Sequence, residues 1–350
     1  ICLRFFQVNF RLIFFLLWLP LVSFAQGFAG LGSGSEGFEL PETNPTFQFP
    51  FDDGSHPDFR VEWWYLTANL QGDDGQDYGL QWTLFRTALS PKDYEGWSSP
   101  QLWMGHAAVT TPDAHFVTER LSRGGIGQAG VDIDPFEAWI DEWIFSGLHS
   151  NAVLRAAGPN FAYEMALSAT GPRVLHGAGG YSVKSADGQA SYYFSQPFLK
   201  IKGTLQLPLG DVDVTGDAWL DHEWSSKPLG ANQIGWDWFS LSFDDGFKLM
   251  GFLLRGDSVF TQATLIGEDG TPVAYPDGAF SAKPIKQSKV AGRDVPTTWR
   301  VMLPDAGIDI VVTALNTQSW MDTSVPYWEG PVRFTGSHTG RGYLEMTGYE

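Results

Sequence analysis

After its first stretch the chain is made of short aromatic and β-branched segments cut by Gly, Asp, Asn and Pro, and helical spacing is rarely sustained over three turns. Asp-Gly pairs supply the positive φ angles that tight hairpins need. Asp74-Gly75 separates VEWWYLTANL from YGLQWTLFRT, and Asp187-Gly188 separates GYSVKS from ASYYFS. Asp245-Gly246 separates WDWFSLSF from FKLMGFLLR, and Asp269-Gly270 separates TQATLI from TPVAYP. Four such hairpins predict an antiparallel meander and an all-β protein. The best helical spacing, PFEAWIDEWIFSG from Pro135, fits two aromatic strands almost as well.

Two hairpins resemble each other: an aromatic strand, then Asp-Asp-Gly, then a large apolar strand closing on Phe85-Arg86 or Leu254-Arg255. They stand 171 positions apart, Asp74 to Asp245, which suggests two copies of one β-domain with a boundary near residues 205 to 217. We place the domains at residues 47–212 and 213–350. About eight strands per half suggest antiparallel barrels, which hide their edges and can hold a small apolar ligand. A pair of β-sandwiches is the competing architecture.

The N-terminal segment reads differently. Arg4 and Arg11 precede the apolar run LIFFLLWLPLVSFA, with Ser23 and Ala25 as small residues at a cleavage point, so residues 1–25 read as a signal peptide. A membrane anchor is the alternative, but the run falls short of the ~20 residues of a spanning helix and contains Pro20. Residues 26–46, rich in Gly, Ser and Pro, read as a flexible leader. A periplasmic or secreted protein is expected, not integral to the membrane after processing. Its only cysteine, Cys2, lies in the removed segment, so neither disulfides nor cysteine metal ligands are expected.

Composition narrows the partner. With 22 basic and 40 acidic side chains the net charge is −18, which excludes nucleic acid and argues against any polyanionic ligand. No GxGxxG, P-loop, HExxH or GxSxG motif is present. The seven histidines show no close pairing, so no metal and no cofactor are expected; His106 and His222 are the best guesses if a structural metal exists.

Two segments concentrate candidate chemistry. In HPDFRVEWWYLT, alternation along a strand puts Glu62 and Trp64 on one face and Trp63 and Tyr65 on the other. A carboxylate beside indoles is either a cavity acid or an acceptor for an indole N–H. In AWLDHEWSS, Asp221 and Glu223 project together while His222 and Trp224 share the opposite face. Two close carboxylates raise one another's pKa and can keep one acid protonated near neutral pH; the plainer reading is a solvated strand end. GWDWFSLSF then places Asp237 between Trp236 and Trp238.

HPDFRVEWWYLTANL, AWLDHEWSS with GWDWFSLSFDDG, and YWEGPVRFTGSHTGRGYLEMTGY resemble, in this order, the signature segments of the AttH-like and carotenoid 1,2-hydratase family. The resemblance runs from about residue 47 to the last residue. It implies two tandem lipocalin-like β-barrel domains. It also implies a relative of hydratases acting on isoprenoid double bonds, of cyclisation-guiding fungal proteins, and of exported proteins linked to an ABC-type export permease. His222 and Trp224 reproduce a His and Trp pair of the hydratases, whereas GWDW lacks their Tyr and Asp pair, which puts carotenoid hydration itself in doubt.

Hydrating an isolated alkene needs an acid, a means of stabilising a tertiary cation, and a base for water. Asp221 or Glu223 is the expected acid, Trp224 and Trp236 the cation-facing rings, and Asp237 or His222 the water-orienting group. Glu62, Trp64, Tyr65, Trp224, Trp236 and Trp238 are the expected ligand-binding residues. The expected function is an exported protein that binds a lipophilic, isoprenoid-like molecule and hydrates, isomerises or cyclises it. A non-catalytic carrier of such a ligand is the alternative, and a glycan-directed role is the third.

Overall fold

The computed structural model describes Leu31, residues 34–147 and residues 151–349; the expected signal peptide lies outside the described residues. The first sheet opens with β1 (Val61–Gly72), β2 (Asp77–Ala88), β3 (Gln101–Thr110) and β4 (His115–Arg123). It continues with β5 (Ala129–Ile133), β6 (Phe136–Ile140), β7 (Trp143–Ser146), β8 (Ala152–Gly158) and β9 (Phe161–Ala169). Two short strands, β10 (Val174–Leu175) and β11 (Tyr181–Val183), precede the long pair β12 (Ala190–Leu207) and β13 (Gly210–Ser225).

The second sheet holds β14 (Gly235–Phe243), β15 (Lys248–Arg255), β16 (Phe260–Ile266), β17 (Pro272–Tyr275) and β18 (Ser281–Val290). It ends with β19 (Arg293–Leu303), β20 (Ile308–Ala314), β21 (Trp320–Met321), β22 (Tyr327–Gly336) and β23 (Gly340–Met346).

Both sheets follow one plan. The opening strand pairs on one side with its hairpin partner and on the other with the last strand: β1 lies between β2 and β13, and β14 between β15 and β23. The repeated Asp-Asp-Gly hairpin therefore marks the same corner of two tandem antiparallel, barrel-like domains. Gly75 and Gly246 take φ of 80° and 96° at those turns, where a Cβ would strain the backbone. Each sheet curls around its own core, with Trp64, Leu66, Trp82 and Trp143 in the first and Phe239, Trp299, Val301 and Trp328 in the second. A third apolar cluster, including Tyr65, Tyr193, Trp219, Trp238 and Phe252, fills the junction. Among the described residues no helix is long and apolar enough to cross a membrane.

Two expectations change, and one open alternative is settled. The boundary at 212/213 falls inside β13, which pairs with β12 and β1, so the sheets divide between Ser225 and Gly235. The leader is not loose over residues 34–46. Glu39 N–H donates to the Asp58 carbonyl, Glu42 N–H donates to Tyr192 Oη (2.8 Å), and Ser226 Oγ donates to the Glu39 carbonyl. PFEAWIDEWIFSG forms β6 and β7, because Phe136, Ala138 and Ile140 are buried alternately with half-buried Glu137 and Trp139, a period of two rather than 3.6.

Gly79 shows how tightly the barrels approach. A Cβ there would stand 2.5 Å from Pro331 Cγ and 2.8 Å from Tyr343 Oη, across the junction. Gly79→Ala should cost about 1–3 kcal/mol in denaturant unfolding; an unchanged midpoint would show that the barrels can yield there.

Candidate functional site

The site is built where β1 and β13 run side by side, with Trp63 opposite Glu223, Tyr65 opposite Asp221 and Trp64 opposite His222. Alternation sends Trp63, Tyr65, Asp221 and Glu223 toward the second barrel. That barrel answers with Trp236 and Trp238 from β14, Glu345 from β23 and Tyr327 from β22. Together they enclose a cavity of about 230 Å³, walled largely by aromatic rings that include Tyr193 and Phe252. Its size lies near the lower end for small-molecule sites.

Buried carboxyls face this cavity from both sides. Asp221 accepts hydrogen bonds from Trp219 Nε1 (2.6 Å), Tyr193 Oη (3.0 Å) and Ser195 Oγ. Burial outweighs those donors and pushes its carboxyl up to about 7. Glu345 accepts Trp236 Nε1; burial, with Asp221 and Glu223 nearby, pushes it up to about 7 as well. Behind the cavity, Glu329 accepts the Tyr65 hydroxyl (2.6 Å), and burial beside Glu345 holds it well above the usual carboxylate range. Glu223 is paired differently, with Lys184 Nζ at 2.8 Å and the Ser191 hydroxyl donating to it. The Lys184 ammonium also lies 4.4 Å from the Phe252 ring centre and 4.8 Å from that of Tyr193.

Of the residues singled out from sequence, Asp221, Glu223, Tyr65, Trp236 and Trp238 line the cavity, and Glu62 touches its edge beside Arg86. Four do not line it. Asp237 sits on the face of β14 opposite Trp236 and Trp238, bonded to Arg255 Nε (3.0 Å) and Tyr349 Oη (2.9 Å), with burial pushing it up to about 6. His222 and Trp64 turn into the first barrel, stacked at 4.6 Å. Trp224 lines a separate hollow at that barrel's mouth, stacked at 3.8 Å on His56. His222 and Asp237 therefore cannot orient water in the junction cavity, nor can Trp224 face a cation there.

The first barrel holds its own polar cluster. Glu62 Oε1 accepts His56 Nδ1 (2.7 Å) and His222 Nε2 (2.9 Å), while Oε2 accepts Arg86 Nε (2.8 Å) and His56 N–H (2.9 Å). Burial alone would lower the His56 pKa, but Glu62 and Asp52 outweigh it and lift it to about 9. These three side chains, His56, Glu62 and His222, could hold a metal ion, not the expected pair His106 and His222. As arranged, every contact has hydrogen-bond length and Arg86 already balances Glu62, so the set fits a proton-linked network better than a coordination shell.

Glu345, Glu329, Tyr193, Tyr327 and Lys184 escaped the sequence reading, and His106 is named there only as a possible metal ligand. Tyr327 and Glu329 share a face of YWEG by alternation, a usable signal. The pairing that carries them to Tyr65, 264 residues away in the case of Glu329, leaves no local trace.

With this geometry in hand, comparison with known proteins is informative. A family model described as AttH-like matches residues 40–349. A solved AttH protein from Nitrosomonas europaea is similar at TM-score 0.81 and 33% identity, covering 89% of this chain and 100% of its own. Kievitone hydratase from Nectria haematococca is similar at TM-score 0.66 and 15% identity, covering 89% and 96%, and shares the fold. No curated protein matches the chain.

Proposed function

For a chain that belongs to the AttH-like family, we propose acid catalysis on a lipophilic, isoprenoid-like molecule held in the junction cavity, by hydration, isomerisation or cyclisation. One observation carries the reading: Asp221 and Glu345 reach one aromatic cavity from opposite barrels, each held near neutrality. Glu345 accepts the Trp236 indole and has the Tyr65 hydroxyl beside it, whereas Asp221 is fastened by three donors, so we assign Glu345 as the acid and Asp221 as the base. Glu345 gives its proton to an alkene carbon and the π bond breaks. The resulting cation faces the rings of Trp63, Trp236 and Trp238. Water attacks it and yields its proton to Asp221, so H and OH have been added. The same cation would lose a proton or meet a second double bond in the other two outcomes. Support also comes from the shared fold of a protein named as a hydratase.

Incubation with terpenoid alkenes in ¹⁸O-water, read by mass spectrometry, tests this. Label should enter the product, and Glu345→Gln or Asp221→Asn should each lower incorporation at least ~100-fold. Persistence in both folded variants would refute the assignment. A carrier function is favoured by one feature, the fastening of Asp221 by Ser195, Trp219 and Tyr193 as a structural acceptor. Native mass spectra showing only unaltered lipid would decide for it. Export, and an ABC-type permease as partner, belong to this proposal through the N-terminal apolar run and the family resemblance.

A further inference from the structure

A row of polar side chains crosses the seam between the barrels and ends at the surface. Glu119 on β4, with a fifth of its side chain exposed, receives the Ser324 N–H (3.0 Å) and hydroxyl (2.7 Å). His106 on β3 lies 3.1 Å from Glu119 through Nε2 and 2.9 Å from Tyr327 Oη through Nδ1. Glu329, two residues beyond Tyr327 on the same face of β22, accepts the Tyr65 hydroxyl at Oε1. Its Oε2 is buried without a hydrogen-bond partner, and Tyr327 is the other hydroxyl that acts on the Glu329 carboxyl. The Tyr65 hydroxyl also lies within reach of Glu345 in the cavity.

The donors can be assigned one by one. Glu119, fed by His106 and Ser324, is held down to about 2 and can only accept, so His106 Nε2 carries its hydrogen toward it. Burial disfavours the imidazolium, which leaves Nδ1 bare to accept the Tyr327 hydroxyl. The Tyr327 oxygen then has lone pairs free. A buried carboxyl oxygen without a partner is costly unless it carries a hydrogen that finds an acceptor, and Tyr327 supplies one.

We propose that Glu329, Tyr327, His106 and Glu119 form a proton path by which the junction acids exchange with solvent. In the outward direction the Glu329 Oε2–H passes to the Tyr327 oxygen, the Tyr327 hydrogen to His106 Nδ1, and the Nε2–H to Glu119, which releases it. Each hop makes one O–H or N–H bond and breaks one, and the histidine leaves in its other tautomer, ready to conduct inward. The path does not depend on the acid catalysis proposed above, and its test needs no substrate.

Infrared spectroscopy of the full chain on transfer to D₂O provides that test. The carbonyl band of the protonated Glu329 carboxyl is the one lost in Glu329→Gln, and the rate of its deuterium shift is the measurement. His106→Leu and Tyr327→Phe should slow that shift at least ~10-fold. Structural damage would do the reverse, because loosening the seam admits solvent. Glu119→Gln keeps an acceptor but cannot relay a proton, and should slow exchange similarly even if His106→Leu fails to fold. Exchange as fast as in the parent protein in Glu119→Gln, or no band removed by Glu329→Gln, would overturn the path.

Discussion

Arg86→Met should lower the unfolding free energy by about 3–5 kcal/mol, the cost of breaking a buried ion pair by removing one partner. Arg86 is 1% exposed and meets four acceptors: Glu62 Oε2 (2.8 Å), Gln101 Oε1 (2.8 Å), and the carbonyls of His56 (2.7 Å) and Phe59 (2.9 Å). Methionine fills similar volume and satisfies none of them. The fully buried Glu62 charge would be left to His56 alone as its neighbouring cation. A surface pair gives the contrast: Arg300 and Asp309, both about half exposed, are screened by water, and Arg300→Ala should leave the unfolding midpoint nearly unchanged. Adding Glu62→Gln to Arg86→Met should cost less than the two single changes together, because no charge is then stranded. Urea unfolding of the parent protein, Arg86→Met, Glu62→Gln, their double variant and Arg300→Ala measures all of this. A loss below about 1 kcal/mol in Arg86→Met would mean that water reaches Glu62 and the cluster is not a dry one.

What could be read in advance follows from the range of the interactions. Hairpins are local: Asp74-Gly75 and Asp245-Gly246 reverse the chain through their own backbone, so both turns and the repeat they mark are legible in the letters. Alternation is local too, and it separates Asp221 and Glu223 from His222 and Trp224 correctly. The same rule, applied to GWDW, sets Asp237 apart from Trp236 and Trp238; neighbours in sequence are not neighbours on a strand. What alternation cannot say is which face of a sheet becomes a cavity, since that depends on where a second barrel docks. Glu345, Glu329 and His106 join the site through such long-range docking. The boundary at 212/213 fails for a related reason, because β13 is claimed by β1, some 150 residues earlier in the chain. The ordered leader is held by Asp58, Tyr192 and Ser226, which no composition rule for Gly- and Ser-rich segments anticipates.

Stability should fall by about 1 kcal/mol or more as pH rises from 7 to 8, and the sign can be worked out group by group. A group that holds one more proton in the fold than in the unfolded chain costs about 1.4 kcal/mol per pH unit as pH rises. His56 does so between its unfolded value of 6.5 and about 9. Glu329, raised by burial well above its unfolded value, contributes in the same direction. Asp221 and Glu345, at about 7, have nearly completed their loss by then, and Asp237, at about 6, has finished. The opposite sign belongs to buried histidines: burial lowers His115 and His222 to about 4 and His176 to about 3, so their contribution grows up to 6.5 and is then constant. Those two sets oppose each other between pH 4 and 6.5, and above 6.5 the histidines add nothing further to offset the losses. Above 8, Lys248, lowered by burial to about 8, begins to offset the decline. Urea midpoints at pH 6.5, 7, 7.5 and 8 should therefore descend through the upper half of that range. His56→Asn should reduce the descent, and the further change Glu329→Gln should reduce it again. A flat profile in the parent protein, or a descent of full size in the double variant, would show that neither group holds its extra proton in the fold.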